Sequence, residues 1–181
     1  MKLKRIEIAN FKGIRRFEWD FAKENGAARS LSALIGDNGS GKTTVLQAIA
    51  LTLSLATRRT KSPLDFAWPG FLISRLSTIG PAFVRLIVAF DDEEIQATRE
   101  LYEMWKRFLS PEFIQSHKIV PPSDRGEVTL EYRNGAVSSP DGFEAKMQFM
   151  GRYYIKCLLD TQPDLRSKFR YCGDVFWFDQ Y

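Results

Sequence analysis

The chain has 181 residues, 44% hydrophobic and 13% aromatic, with a net charge of +4. This excludes intrinsic disorder and suits one domain, or one large lobe of a bigger one, while the mild positive charge fits a phosphate-rich partner without requiring one. A single histidine rules out a His-based metal site and argues against a His-based triad, and two cysteines without metal spacing or a disulfide framework fit a reducing cytoplasm. No apolar run reaches the length of a membrane span, so the expectation is a cytoplasmic protein that engages no membrane. Cys157 and Cys172 read as core residues.

Ile6 and Ile8 alternate with Arg5 and Glu7, and after Asn10-Phe11-Lys12-Gly13 the residues Phe17, Trp19 and Phe21 alternate with Arg16, Glu18 and Asp20. The period of two predicts two strands, each with one buried face, joined by a hairpin or near-hairpin through Lys12-Gly13. Lys23-Glu24-Asn25-Gly26 marks the next turn. Leu31-Ser32-Ala33-Leu34-Ile35 is a short apolar run of the kind that suits a buried strand.

Gly36-Asp37-Asn38-Gly39-Ser40-Gly41-Lys42-Thr43-Thr44 satisfies Gly-x4-Gly-Lys-[Ser/Thr], the phosphate-binding loop, and predicts binding of a nucleoside triphosphate. Only backbone with little or no Cβ folds closely enough around several phosphate charges for successive N–H groups to point inward, and Gly36, Gly39 and Gly41 supply that freedom. Lys42 would place a point charge on the β- and γ-phosphates. The Thr43 hydroxyl would complete the shell of a Mg2+ that keeps several waters, and Thr44 could bond an inner phosphate. Such a loop should follow a strand and open a helix. Val45, Leu46, Ala48, Ile49, Ala50, Leu51, Leu53 and Leu55 are apolar nearly all round, so a helix enclosed by other elements is expected.

Taken together, Ile6 to Ile14 with its Asn10-Phe11-Lys12-Gly13 turn, the strand after it, and Leu34 to Ile49 with its Asn38-Gly39-x-Gly41-Lys42 loop resemble the amino-terminal lobe of the ABC-type ATPase heads of the SMC and RecF group. These are P-loop ATPases of DNA maintenance that also occur in bacterial defence. The resemblance is closest over about the first 55 residues. It implies an α/β P-loop NTPase fold, with an ABC-ATPase-like mixed sheet, an antiparallel β-subdomain, and only the amino-terminal half of a head present. It implies ATP and Mg2+ as ligands, held by Gly36, Asn38, Gly39, Ser40, Gly41, Lys42, Thr43 and Thr44. It also implies a second head or a missing carboxyl-terminal half as partner, with DNA as a further candidate. By motif position it nominates Lys12 as a neighbour of the nucleotide; the alternative is a solvated turn lysine.

Thr57-Arg58-Arg59-Thr60-Lys61-Ser62-Pro63 ends the helix and begins a loop-rich insertion. The chain thus divides into a nucleotide-binding core at 1–57, the insertion at 58–82, and a β-subdomain with helices at 83–181. Arg58, Arg59 and Lys61 could meet nucleic acid phosphates or simply complement a helix carboxyl end. Val84 to Phe90 followed by Asp91-Asp92-Glu93-Glu94 is a decoy for a Walker B strand. Arg85 on one face argues for a half-exposed antiparallel strand, and Asp91 with Glu94 fits a capping box for a helix with Leu101, Trp105 and Phe108 on one stripe. Glu127 to Tyr132 alternates as a further strand, closed by Asn134-Gly135 and expected to pair with residues 83 to 90. A helix starting near Ser139-Pro140 or Asp141 should carry Phe143, Met147, Met150, Tyr154 and Cys157 on its buried stripe. Val175 to Phe178 reads as a last strand. In the resembled heads a glutamine at a strand end, the Q-loop residue, reaches the Mg2+ and the attacking water, which nominates Gln180.

A nucleoside or nucleotide kinase usually begins with the loop-bearing strand, whereas two strands precede it here. A GTPase lacks support because no Asn-Lys-x-Asp motif occurs. A transporter ATPase and a non-hydrolysing nucleotide-gated module complete the alternatives.

Overall fold

The computed structural model describes residues 1–77, 80–117 and 119–175. The alternating amino-terminal segments form β1 (Lys2–Phe11) and β2 (Ile14–Asp20), an antiparallel pair turned by Lys12 and Gly13, both at positive φ. The expected pairing of later strands is present. β3 (Phe83–Ala89) lies antiparallel between β1 and β4 (Glu127–Arg133), and β5 (Ala136–Ser138) returns beside β4 through Asn134 and Gly135, with φ of 49° and 82°. That pair of left-handed residues matches the twist of a two-residue hairpin. The sheet order is β2-β1-β3-β4-β5, antiparallel throughout.

Register puts one apolar row above another. Ile6 faces Trp19 and Leu86, Ile8 faces Phe17 and Val84, and Leu86, Val84 and Val88 face Leu130, Tyr132 and Val128. Helix α1 (Lys42–Ala56) covers this face across β1, β3, β4 and β5. Ile6, Leu86, Leu130 and Leu51 are fully buried there, each gaining about 1.5–3 kcal/mol from burial. β2 lies at the sheet's edge beyond the main cover of α1, so Phe17 is only partly buried and Trp19 is 55% exposed. Sequence alternation expected both inside; Phe21 alone of the three is buried.

The opposite face carries charge. Arg85 on β3 donates to Glu7 on β1 (2.9 Å) and to Glu131 on β4 (2.7 Å), and Arg133 bonds the other Glu131 oxygen at 3.1 Å. Burial pushes the Glu131 pKa up, but the hydrogen bonds and charges of Arg85 and Arg133 outweigh it and hold the carboxyl below its ordinary range. The folded pKa therefore lies below the unfolded one. The contribution is complete above the unfolded value and is lost as pH falls through the folded one. Glu131→Gln should lower stability at neutral pH by about 1 kcal/mol and flatten the acid limb of the urea-unfolding midpoint against pH. An acid limb as steep as the parent's would show that another group sets it.

A second apolar cluster gathers where α2 (Asp92–Lys106) meets α4 (Phe143–Met147), a 3-10 turn (Gln148–Met150), α5 (Gly151–Leu158) and a 3-10 segment (Pro163–Tyr171). The single helix expected after Asp141 is thus broken into three pieces. Met147, Met150 and Tyr154 are buried as expected, whereas Phe143 and Cys157 are exposed. Gly151 stands at the break because a Cβ there would come within 2.7 Å of Cys172 Sγ and 2.8 Å of Thr98 Oγ1. Its absence lets α5 close on α2. On α2 the buried face is Ile95, Ala97, Thr98, Leu101 and Tyr102; Phe108 lies past the helix end and is 55% exposed. The short helix α3 (Pro111–Ser116), capped by Ser110, was not anticipated.

Candidate phosphate-binding site

Residues 36 to 41 reach α1 through two turns that only glycine takes without strain: Gly39 has φ 82°, and Gly41, the residue before the helix, has φ 91°. Gly36 answers a different need, since a Cβ there would stand 3.1 Å from Ser40 Oγ. The loop closes with Ser40 N–H donating to the Asp37 carbonyl at 3.2 Å, and Val45 N–H donates to Gly41 at 3.0 Å as α1 begins. Lys42 folds back over the loop, its ammonium donating to the carbonyls of Gly36 (2.7 Å) and Asp37 (2.6 Å). Thr43 is exposed at the helix start and Thr44 is half-buried, while Asn38 is exposed. One cation, the first N–H groups of a fifteen-residue helix and an exposed hydroxyl therefore converge at one end of α1.

The segment before the loop departs from expectation. Residues 31–35 form no strand, and Leu31 and Ile35 are 85% and 95% exposed. An apolar run becomes a buried strand only where neighbours supply a ladder, and among the described residues none pairs with it. Leu46, on the solvent side of α1, is 45% exposed, so the helix is enclosed on all but one side.

Lys12 has φ 45° and reaches along α1 rather than into the loop. Its ammonium donates to Gln47 Oε1 at 2.7 Å and to the Gly70 carbonyl at 3.3 Å, and lies 5.1 Å from the Phe71 ring centre. Burial, then the charge of Arg75, lowers its pKa. It is thus a partnered lysine, not a freely solvated one. Gln47, 2% exposed, was passed over in the sequence, although a glutamine amid an apolar helix was the available signal that something polar must reach it.

The acidic strand end serves α2. Asp91 caps the helix, its Oδ1 accepting from Glu94 N–H at 2.9 Å, while Asp92 is an exposed first-turn residue. The reciprocal half of the expected capping box is missing because Glu94 is buried elsewhere, paired with the Met1 amino group and accepting from Gly173 N–H at 2.6 Å. Asp91→Ala should cost about 1 kcal/mol of stability and leave ATP affinity unchanged, as paired thermal melts and titrations would show. A loss of affinity without loss of stability would return Asp91 to the nucleotide. Arg58 and Arg59 follow the end of α1 and are engaged by protein: Arg58 lies over the Tyr153 ring at 5.0 Å and Arg59 contacts Asp174 at 3.4 Å. Gln180 and the last expected strand beyond Val175 lie outside the described residues.

Comparison with known proteins adds three findings. The family model described as AAA ATPase domain matches residues 1–171. Septu protein PtuA of Bacillus mycoides (strain KBAB4) is 40% identical over an alignment of 73 residues that covers 38% of this chain and 10% of that protein, so the match spans about a tenth of the relative's length. A solved chain from work on ATP-driven dimerization and DNA-stimulated activation of SMC ATPases aligns over 88% of this chain and 80% of its own, at 16% identity and a TM-score of 0.40.

Proposed function

The chain belongs to the AAA ATPase domain family, and from that premise we propose that it binds ATP with Mg2+ on residues 36 to 44, as the amino-terminal lobe of an SMC/RecF-like head serving DNA maintenance, repair or defence. The observation that carries the nucleotide reading is the loop itself, with Lys42 held over it by the Gly36 and Asp37 carbonyls and Thr43 exposed alongside. The residues fit the ligand. Gly39 and Gly41 give the backbone room for phosphate, Asn38 and Ser40 complete the loop, Lys42 would meet the β- and γ-phosphates, and Thr44 an inner one. A Mg2+ held by the Thr43 hydroxyl, phosphate oxygens and water needs no cage of protein carboxylates.

Lys12, in the β1–β2 turn with its ammonium on Gln47 of α1, would neighbour the nucleotide, and Gln180 would reach the metal and water. The Asn10-Phe11-Lys12 turn ahead of the loop supports the SMC/RecF assignment. A carboxyl-terminal half or a second head would cover Trp19, Leu31, Ile35 and Leu46, large apolar side chains that the described structure leaves exposed. Titration calorimetry with ATP tests the nucleotide reading: a saturable heat that EDTA weakens is expected, and no heat up to about 1 mM ATP, the upper end of ordinary enzyme affinities, would sink it.

A further inference from the structure

A concavity of about 380 Å³ opens between α2, α3 and the α4 to α5 segment, within the size range of small-molecule sites. Its walls are aromatic. Trp105 lies 5.0 Å from Tyr154 and 6.4 Å from Tyr153, centre to centre, and Phe113 stacks on His117 at 4.0 Å.

Two further observations give the cavity a polarity. Arg58 lines it from beyond the end of α1, its guanidinium 5.0 Å above the Tyr153 ring, held there by a left-handed backbone (φ 53°) that a non-glycine residue adopts only at a cost. No carboxylate is among the lining residues. Tyr102 also lines the cavity; it is 2% exposed, and its hydroxyl has no hydrogen-bond partner among the described residues. A buried hydroxyl without a partner has lost the bond it makes to water in the unfolded chain, a loss that a ligand's polar edge would offset.

These features specify a ligand with a flat π face, an anionic group and a hydrogen-bonding edge. A cationic ligand would meet Arg58 with no acid to balance it. An acyl chain would satisfy neither Arg58 nor the Tyr102 hydroxyl. We propose that this cavity is a second nucleotide site, separate from the phosphate loop, with the base against Trp105 and Tyr153, the base edge on Tyr102, and the phosphate toward Arg58. Stacking on aromatic rings beside an arginine is a general mode of holding a nucleotide, whether free or within a single strand.

The test uses the Lys42→Ala chain, so that the phosphate loop does not contribute, titrated by calorimetry with AMP and with a short oligothymidylate. Saturable binding of either probe at one site per chain is expected. Arg58→Ala in that background should weaken it about tenfold or more, as for a lost charge-assisted bond, and Tyr102→Phe about three- to tenfold. The second variant deletes a hydroxyl without a partner, so it should fold as the parent does. Binding of AMP alone identifies a free-nucleotide site, binding of the oligonucleotide alone a strand site, and both support the assignment. No saturable binding of either probe, or binding unchanged in both variants, overturns it. The outcome is independent of whether wild-type protein binds ATP at residues 36 to 44.

Discussion

Replacing Lys42 with alanine is expected to lower affinity for ATP with Mg2+ by at least about a hundredfold, or ~2.7 kcal/mol. The ammonium bonds neutral oxygens of its own loop, the Gly36 and Asp37 carbonyls and, at 3.4 Å, the Ser40 hydroxyl. Exchanging those neutral acceptors for β- and γ-phosphate oxygens gains charge-assisted bonds that alanine cannot make. Lys42 is the first residue of α1 and half-buried, so the substitution removes no core packing, and alanine is a good helix former. Calorimetry of both proteins, with matched thermal melts, separates lost binding from lost folding. Unchanged affinity in the variant would remove the phosphate-loop assignment, whatever the family.

The second large effect concerns turnover. Hydrolysis needs the γ-phosphate held, the metal held, a water oriented, and developing charge stabilised from the far side. On the proposed reading, residues 36 to 44 would answer to the first and part of the second. The acidic pair at the end of β3 is committed to α2, with Asp91 capping the helix and Asp92 exposed in its first turn. Purified residues 1 to 181 should therefore bind ATP yet turn it over far more slowly than about 1 per second, the lower end of ordinary enzyme rates. Addition of a completing half or partner head should raise the rate. Asp91→Asn keeps the cap, since asparagine serves that position as well as aspartate, and so probes chemistry without disturbing the fold. Steady hydrolysis by these residues alone, lost on Asp91→Asn or Asp92→Asn, would overturn the half-site reading and restore the acidic strand end as a Walker B element.

The sequence by itself determined the parts of this protein that depend on local rules. Glycines at 39 and 41 were required by a backbone that turns through positive φ. The β1–β2 hairpin and the β3–β4 pairing followed from a side-chain period of two, and the buried α1 from residues that are apolar nearly all round the helix. Arg85 within an apolar run correctly marked a strand with one open face, because an unpaired charge is not buried. Tertiary structure alone decided what those periods leave open, namely which apolar residues find cover. Trp19 and Phe17 keep strict alternation, yet they lie at the sheet edge beyond the main cover of α1, and residues 31–35 read as a buried strand but meet no ladder among the described residues. The break at Gly151, the Lys12–Gln47 bond and the meeting of Arg58 with Tyr153 join segments far apart in the chain. Burial is a property of what packs against a residue, and a periodic pattern states only which side of its own element that residue occupies.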